Sequence, residues 1–133
     1  MGAAAKGWII VAALSGAVSV ALGAFAAHGL DLSTEAGRKA REWLQTGSQY
    51  QIIHALAIVA VVALARSAML SNGLAVVAQC SFLVGSVLFP GALYALAFGG
   101  PRWLGAVAPI GGTAFIVGWG CLALAALLKS SAD

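Results

Sequence analysis

The sequence predicts an all-α integral membrane protein: a bundle of four transmembrane helices, with a short amphipathic helix on the membrane surface between the first two. Three observations carry this expectation. The chain has 133 residues, of which 62% are hydrophobic and only 8% charged, and its mean hydropathy of +0.99 lies far from that of soluble domains. Four long apolar stretches, 8–27, 52–65, 74–98 and 104–128, are separated by short segments that hold nearly every charge. A bilayer core about 30 Å thick needs about 20 mostly apolar residues per spanning helix, and four such helices leave no room for an aqueous domain. A single domain over residues 1–133 follows.

Span one is placed at 8–28. Its apolar run is too long for an ordinary signal-peptide core, so it is read as retained, with Trp8 at the membrane interface. The segment 34–46 reads as a surface helix. Ser33 or Thr34 can cap it and Glu35 suits its first turn. Ala36, Ala40, Trp43 and Leu44 share one face, and Glu35 with Lys39 and Arg38 with Glu42 are spaced as i,i+4 pairs. Span two reaches spanning length only if it begins near Ser48, giving 48–66 and drawing Gln49, Tyr50, Gln51 and His54 into the membrane. Span three is placed at 74–98, with a kink or local opening expected at Pro90. Span four is placed at 104–128, behind Trp103 and with Pro109, Gly111 and Gly112 weakening its start.

Small residues recur four apart at Ser15, Ser19 and Gly23, at Ser81 and Gly85, and at Ala114 and Gly118. Helices in lipid associate by close backbone approach, so these lines mark helix seams, internal or between copies in a homo-oligomer. The basic residues Arg38, Lys39, Arg41 and Arg102 fall on one side and Lys6, Arg66 and Lys129 on the other, so the positive-inside comparison puts the termini outside the cytoplasm. This charge pattern suits anionic lipid headgroups and offers no basic aqueous face for nucleic acid. Membrane lipids, a second copy or another membrane protein are the expected partners.

Ionisable groups inside a membrane are costly and face the interior or water, which singles out His54. With the spans antiparallel, His28, Gln49, Tyr50, Gln51, His54, Pro90, Tyr94, Arg102, Pro109, Gly111 and Gly112 are expected to gather in one leaflet. Gln79, the serines and the cysteines then fall mainly in the other. This polar mouth reads either as interhelical glue or as a ligand site. Two histidines fall short of the ligand count of a zinc site, and Cys80 and Cys121 read as packing residues, so no metal or cofactor is expected. The spans contain no Asp or Glu and no serine spaced for a base, so no catalytic residues and no enzyme activity are expected.

The motifs Gly23-Ala24-Phe25-Ala26-Ala27-His28-Gly29-Leu30, Gln49-Tyr50-Gln51-Ile52-Ile53-His54-Ala55-Leu56, Leu93-Tyr94 with Gly99, and Pro109-Ile110-Gly111-Gly112 followed by Gly118-Trp119 resemble those of the domain-of-unknown-function family DUF423. This is a group of small four-span membrane proteins that includes the YgdD-like and YwdK-like ones. The resemblance implies four helices, a bacterial inner-membrane or comparable location, and no established activity, so it supplies no catalytic residues. The sequence departs from the family pattern in having Ala26 near a usual glycine and Pro90 in place of a usual serine.

Overall fold

A computed structural model describes residues 1–129. Among them the secondary structure is four helices: α1 (Ala3–His28), α2 (Glu35–Arg66), α3 (Asn72–Ala97) and α4 (Leu104–Leu127). Each is long and apolar enough to cross a membrane. Neighbours in sequence are neighbours in space, α1 on α2, α2 on α3, and α3 most extensively on α4.

The separate surface helix expected at 34–46 is not seen. Residues 35–46, capped by Thr34, run on into span two as one continuous α2 of 32 residues, about 48 Å long at 1.5 Å per residue. Two local features explain this. Ala40, Leu44, Gly47, Gln51, His54, Ile58 and Val61 are all buried, so an unbroken stripe at alternating spacings of four and three holds the helix to its neighbours from end to end. Gly47, which reads in sequence as a break, is instead a contact: a Cβ there would lie 2.6 Å from Tyr94 Cε1. The apolar face assigned to the membrane surface turns toward α3 and α4, where Trp43 packs with Ala92, Leu93 and Ala108.

The charges of this segment also pair differently. Thr34 Oγ1 accepts from the Gly37 N–H at 3.0 Å as the helix cap. Arg38 donates back to the Leu32 and Ser33 carbonyls at 3.0 and 3.1 Å, leaving Lys39 to pair with Glu42 at 3.4 Å. In the preceding loop the Ser33 hydroxyl and its backbone N–H both donate to the Asp31 carboxylate, at 2.6 and 3.0 Å. They hold the Asp31 pKa below its ordinary value.

The small-residue lines lie where helices meet. Ser19 donates to the Ser48 carbonyl at 2.7 Å, and Gly23 faces Ser48 across the α1–α2 contact. On the α3–α4 side, a Cβ on Gly111 would collide with the backbone of Leu88 and Phe89. The two proline-containing segments therefore press together. Both helices run on through their prolines, and Pro90 is fully buried.

Gly111→Leu should separate α3 from α4 and destabilise the fold by about 1–3 kcal/mol, the usual cost of overpacking, read as a lower midpoint in detergent unfolding. A carboxylate with a depressed pKa stabilises above its unfolded value and loses that effect as pH falls through the folded one. Protection of the Ser33 amide from hydrogen exchange should thus hold at neutral pH and fall only below the ordinary carboxylate range. In Asp31→Ala this pH dependence should vanish.

Candidate functional site

The candidate site is a chain of polar side chains threading the four helices at mid-depth. It starts on α1, where Ser15 Oγ accepts from the Gln51 side-chain amide at 3.1 Å. The other end of that amide, Oε1, accepts from the Tyr94 hydroxyl at 2.6 Å. One glutamine thus ties α1, α2 and α3 together, and it is buried.

One turn along α2, His54 is also buried. Its Nε2 lies 3.1 Å from the Trp119 indole nitrogen, and its Nδ1 lies 2.6 Å from the Tyr50 carbonyl oxygen. An indole N–H can only donate and a carbonyl can only accept. These partners assign the imidazole as the neutral ring with its proton on Nδ1. The ring stacks on Phe115 with centroids 3.5 Å apart and planes 9° from parallel, and Phe82 closes the α3 side at 5.4 Å.

On the α2–α4 face, Tyr50, Phe89, Pro109, Gly112 and Ile116 complete an open groove of about 420 Å³ beside His54 and Trp119. The exposed rims at Tyr50, Ile116 and Trp119 open it sideways toward the lipid, away from either membrane surface.

The structure brings together Tyr50, Gln51, His54 and Tyr94, with Pro109 and Gly112 at the groove. It places Pro90 and Gly111 in the adjoining α3–α4 seam. His28 is exposed at the end of α1, Gln49 is exposed on another face of α2, and Arg102 is exposed in the α3–α4 connection. A shared leaflet for the two histidines is not what the helices give. Ser15 pairs with Gln51, so His54 lies nearly level with Ala12. His28 is then on the order of 24 Å away along the axis, at about 1.5 Å per residue. The polar chain sits at the middle of the bundle, and Ser15 belongs to it.

Sequence reasoning saw Ser15 as a seam residue, named Trp119 as part of a family motif, and did not single out Phe115. A signal for Trp119 was present: an indole far from either interface still needs an acceptor for its N–H. Nothing local marked Phe115, whose role depends on the rotation of α4. Among the described residues no three His, Cys, Asp or Glu side chains cluster as metal ligands would. Cys80 and Cys121 are free thiols.

Residues 22–112 match the family model described as protein of unknown function DUF423. The chain belongs to this family. It is 45% identical to a UPF0382 membrane protein of Haemophilus influenzae, over 93% of this chain and 96% of that one. It is 41% identical to the UPF0382 inner membrane protein YgdD of Escherichia coli K12, over 90% and 88%, and 39% identical to the UPF0382 membrane protein YwdK of Bacillus subtilis, over 92% and 97%. No solved structure matches the chain. With four spanning helices and relatives named as membrane and inner membrane proteins, this family member is a multi-pass protein of the inner membrane. The family's function is unknown.

If Gln51 joins Ser15 and Tyr94 into one unit, Tyr94→Phe and Ser15→Ala should not be additive. A double-mutant cycle on detergent unfolding should give a coupling of about 0.6 kcal/mol, the typical interhelical polar interaction.

Proposed function

We propose that this protein is a non-enzymatic structural or accessory component of the inner membrane, acting by contact with other membrane proteins or with copies of itself. The observation that carries this reading is that the hydrogen bonds of the polar chain are spent inside it. Both nitrogens of His54, both ends of the Gln51 amide and the Tyr94 hydroxyl have partners within the protein. A proton relay needs a group that can accept on one side and release on the other. His54 has its acceptor nitrogen covered by Trp119 and its proton committed to a backbone carbonyl. Such a ring serves to fix helix rotation, the use of interhelical polar contacts best supported in membranes.

The alternative is a small carrier or channel for a small ligand, a lipid or a proton. The groove beside Tyr50, His54 and Trp119 is the feature that favours it, since a hydrophobic ligand could enter there from the bilayer. Against it stands the lack, among the described residues, of paired intramembrane carboxylates, which many coupled carriers use.

His54→Leu separates the two. On the structural reading, the variant leaves the Trp119 N–H unpaired, while the Tyr50 carbonyl keeps its helical bond, and loses roughly 1–3 kcal/mol of stability. Proteoliposomes of native and variant protein should then show the same proton leak as empty liposomes under an imposed pH gradient. A native protein that conducts protons or moves a lipid reporter, with a variant that folds equally well and does not, would establish the carrier instead.

A further inference from the structure

A second polar feature lies on the opposite side of α2 from His54, and it does not depend on the role of the buried chain. Glu42, Gln45 and Gln49 are exposed and, with Arg38 and Arg41, make a polar stripe running down three turns of the helix. Gly23 of α1 and Leu32 of the connecting loop form its far wall, giving an open groove of about 680 Å³. Arg41 lines this groove, and its Nε is buried without a hydrogen-bond partner. Among the described residues, the side-chain amides of Gln45 and Gln49 also have none. The other charges of the stripe are engaged: Arg38 with the loop carbonyls and Glu42 with Lys39.

Depth makes this arrangement unusual. Ser48 lies against Ser19 and Gly23, so Arg41 is about level with the end of α1, where the hydrocarbon meets the headgroups. Gln45 and Gln49 then lie about 6 Å and 12 Å deeper, at about 1.5 Å per residue. Exposed amides at that depth face lipid chains, where an unmatched polar group is costly. The groove is too polar for acyl chains alone, and its polarity is graded from a guanidinium at the top to amides below. A glycerophospholipid has the same order: a phosphate at the surface, ester carbonyls just beneath, and chains below those.

We propose that this groove is the seat of an anionic glycerophospholipid, with its phosphate on Arg41, an ester carbonyl accepting from the Gln45 amide, and the start of an acyl chain passing Gln49. A guanidinium suits a phosphate because its N–H groups form a planar fork. Gly23 leaves the α1 wall low enough for the glycerol to enter between the helices. The net positive charge of the upper rim favours an anionic headgroup over a zwitterionic one.

The test uses the full-length protein in mild detergent, titrated with phosphatidylglycerol or phosphatidylcholine and read by native mass spectrometry. The native protein should retain phosphatidylglycerol in preference to phosphatidylcholine. Arg41→Ala should bind phosphatidylglycerol about fivefold more weakly, the worth of one basic side chain near the surface. Arg102→Ala, which removes the same charge from the same membrane face outside the groove, should bind as the native protein does. Gln45→Leu changes an exposed side chain and provides a second reading should Arg41→Ala not fold; it should weaken both lipids alike. Millimolar inorganic phosphate should fail to displace the lipid. The proposal is overturned by equal losses in the two arginine variants, by unchanged lipid binding in Gln45→Leu, or by displacement with phosphate, which would make the site one for a free anion. It is also overturned if a photo-crosslinker at a Gln49→Cys variant captures a polypeptide and no lipid.

Discussion

A polar side chain in hydrocarbon must find its partners within the protein, and the positions of the helices follow from where Gln51 and His54 find theirs. Lipid tails are as apolar as leucine, so burying leucine between helices gains little. What distinguishes one rotation of a helix from another is which side chains are left unpaired. Rotating α1 would withdraw Ser15 from Gln51, and rotating α4 would withdraw Trp119 from His54. Each outer helix is therefore keyed to α2 by a polar contact. The packing of aromatic rings and glycines fills in around those contacts.

The continuity of α2 serves this arrangement. A break at Gly47 would have let 34–46 lie flat on the membrane and would have freed the start of span two to tilt independently. Instead Leu44 and Gly47 are buried in the same stripe as Gln51 and His54, and Tyr94 lies over Gly47 while its hydroxyl reaches Gln51. One side chain thus both requires the glycine and uses the glutamine. The rigid link from the Thr34 cap to Val61 fixes the depth of the polar chain relative to the membrane surface.

Much of this was legible from residues alone. Four spans, the antiparallel order and the grouping of Tyr50, Gln51, His54 and Tyr94 follow from apolar length and helical spacing. Depth was misjudged because the first loop was taken to hold a helix of its own, which pushed His54 toward the surface and into company with His28. The alternating spacing of Ala40, Leu44, Gly47 and Gln51 was already present in the sequence, but a glycine between a charged segment and an apolar one reads as a boundary when its neighbour Tyr94 is unknown. That Trp119 of α4 needs an acceptor was readable, but that His54 supplies it and that Phe115 stacks beside it was not. Which face of α4 meets α2 depends on the close approach of Gly111 to the Phe89 backbone, a contact between residues far apart in the chain that no local pattern encodes.

The least secured part of the molecule is α1. Of its 26 residues only Ala12, Ser19 and Ala26 are buried, spaced so that one narrow line meets α2, while Leu14, Val18 and Val20 face outward. Its polar ties to α2 are two serine hydrogen bonds, both in its middle, and its last turn past Gly23 has no such tie. The Arg41 groove lies beside that turn, with Gly23 as one wall. A phospholipid bridging Gly23 and Arg41 would add a polar tie where α1 is held only by apolar contacts of Phe25 and Ala26, and would fill a polar space that bare hydrocarbon cannot. Gln49 and Gln51 are two residues apart and point to opposite sides of α2, one exposed and one buried. The same turn of helix can therefore hold a lipid on its outer side and the polar chain on its inner side, with the α1–α2 contact at Ser48 joining the two.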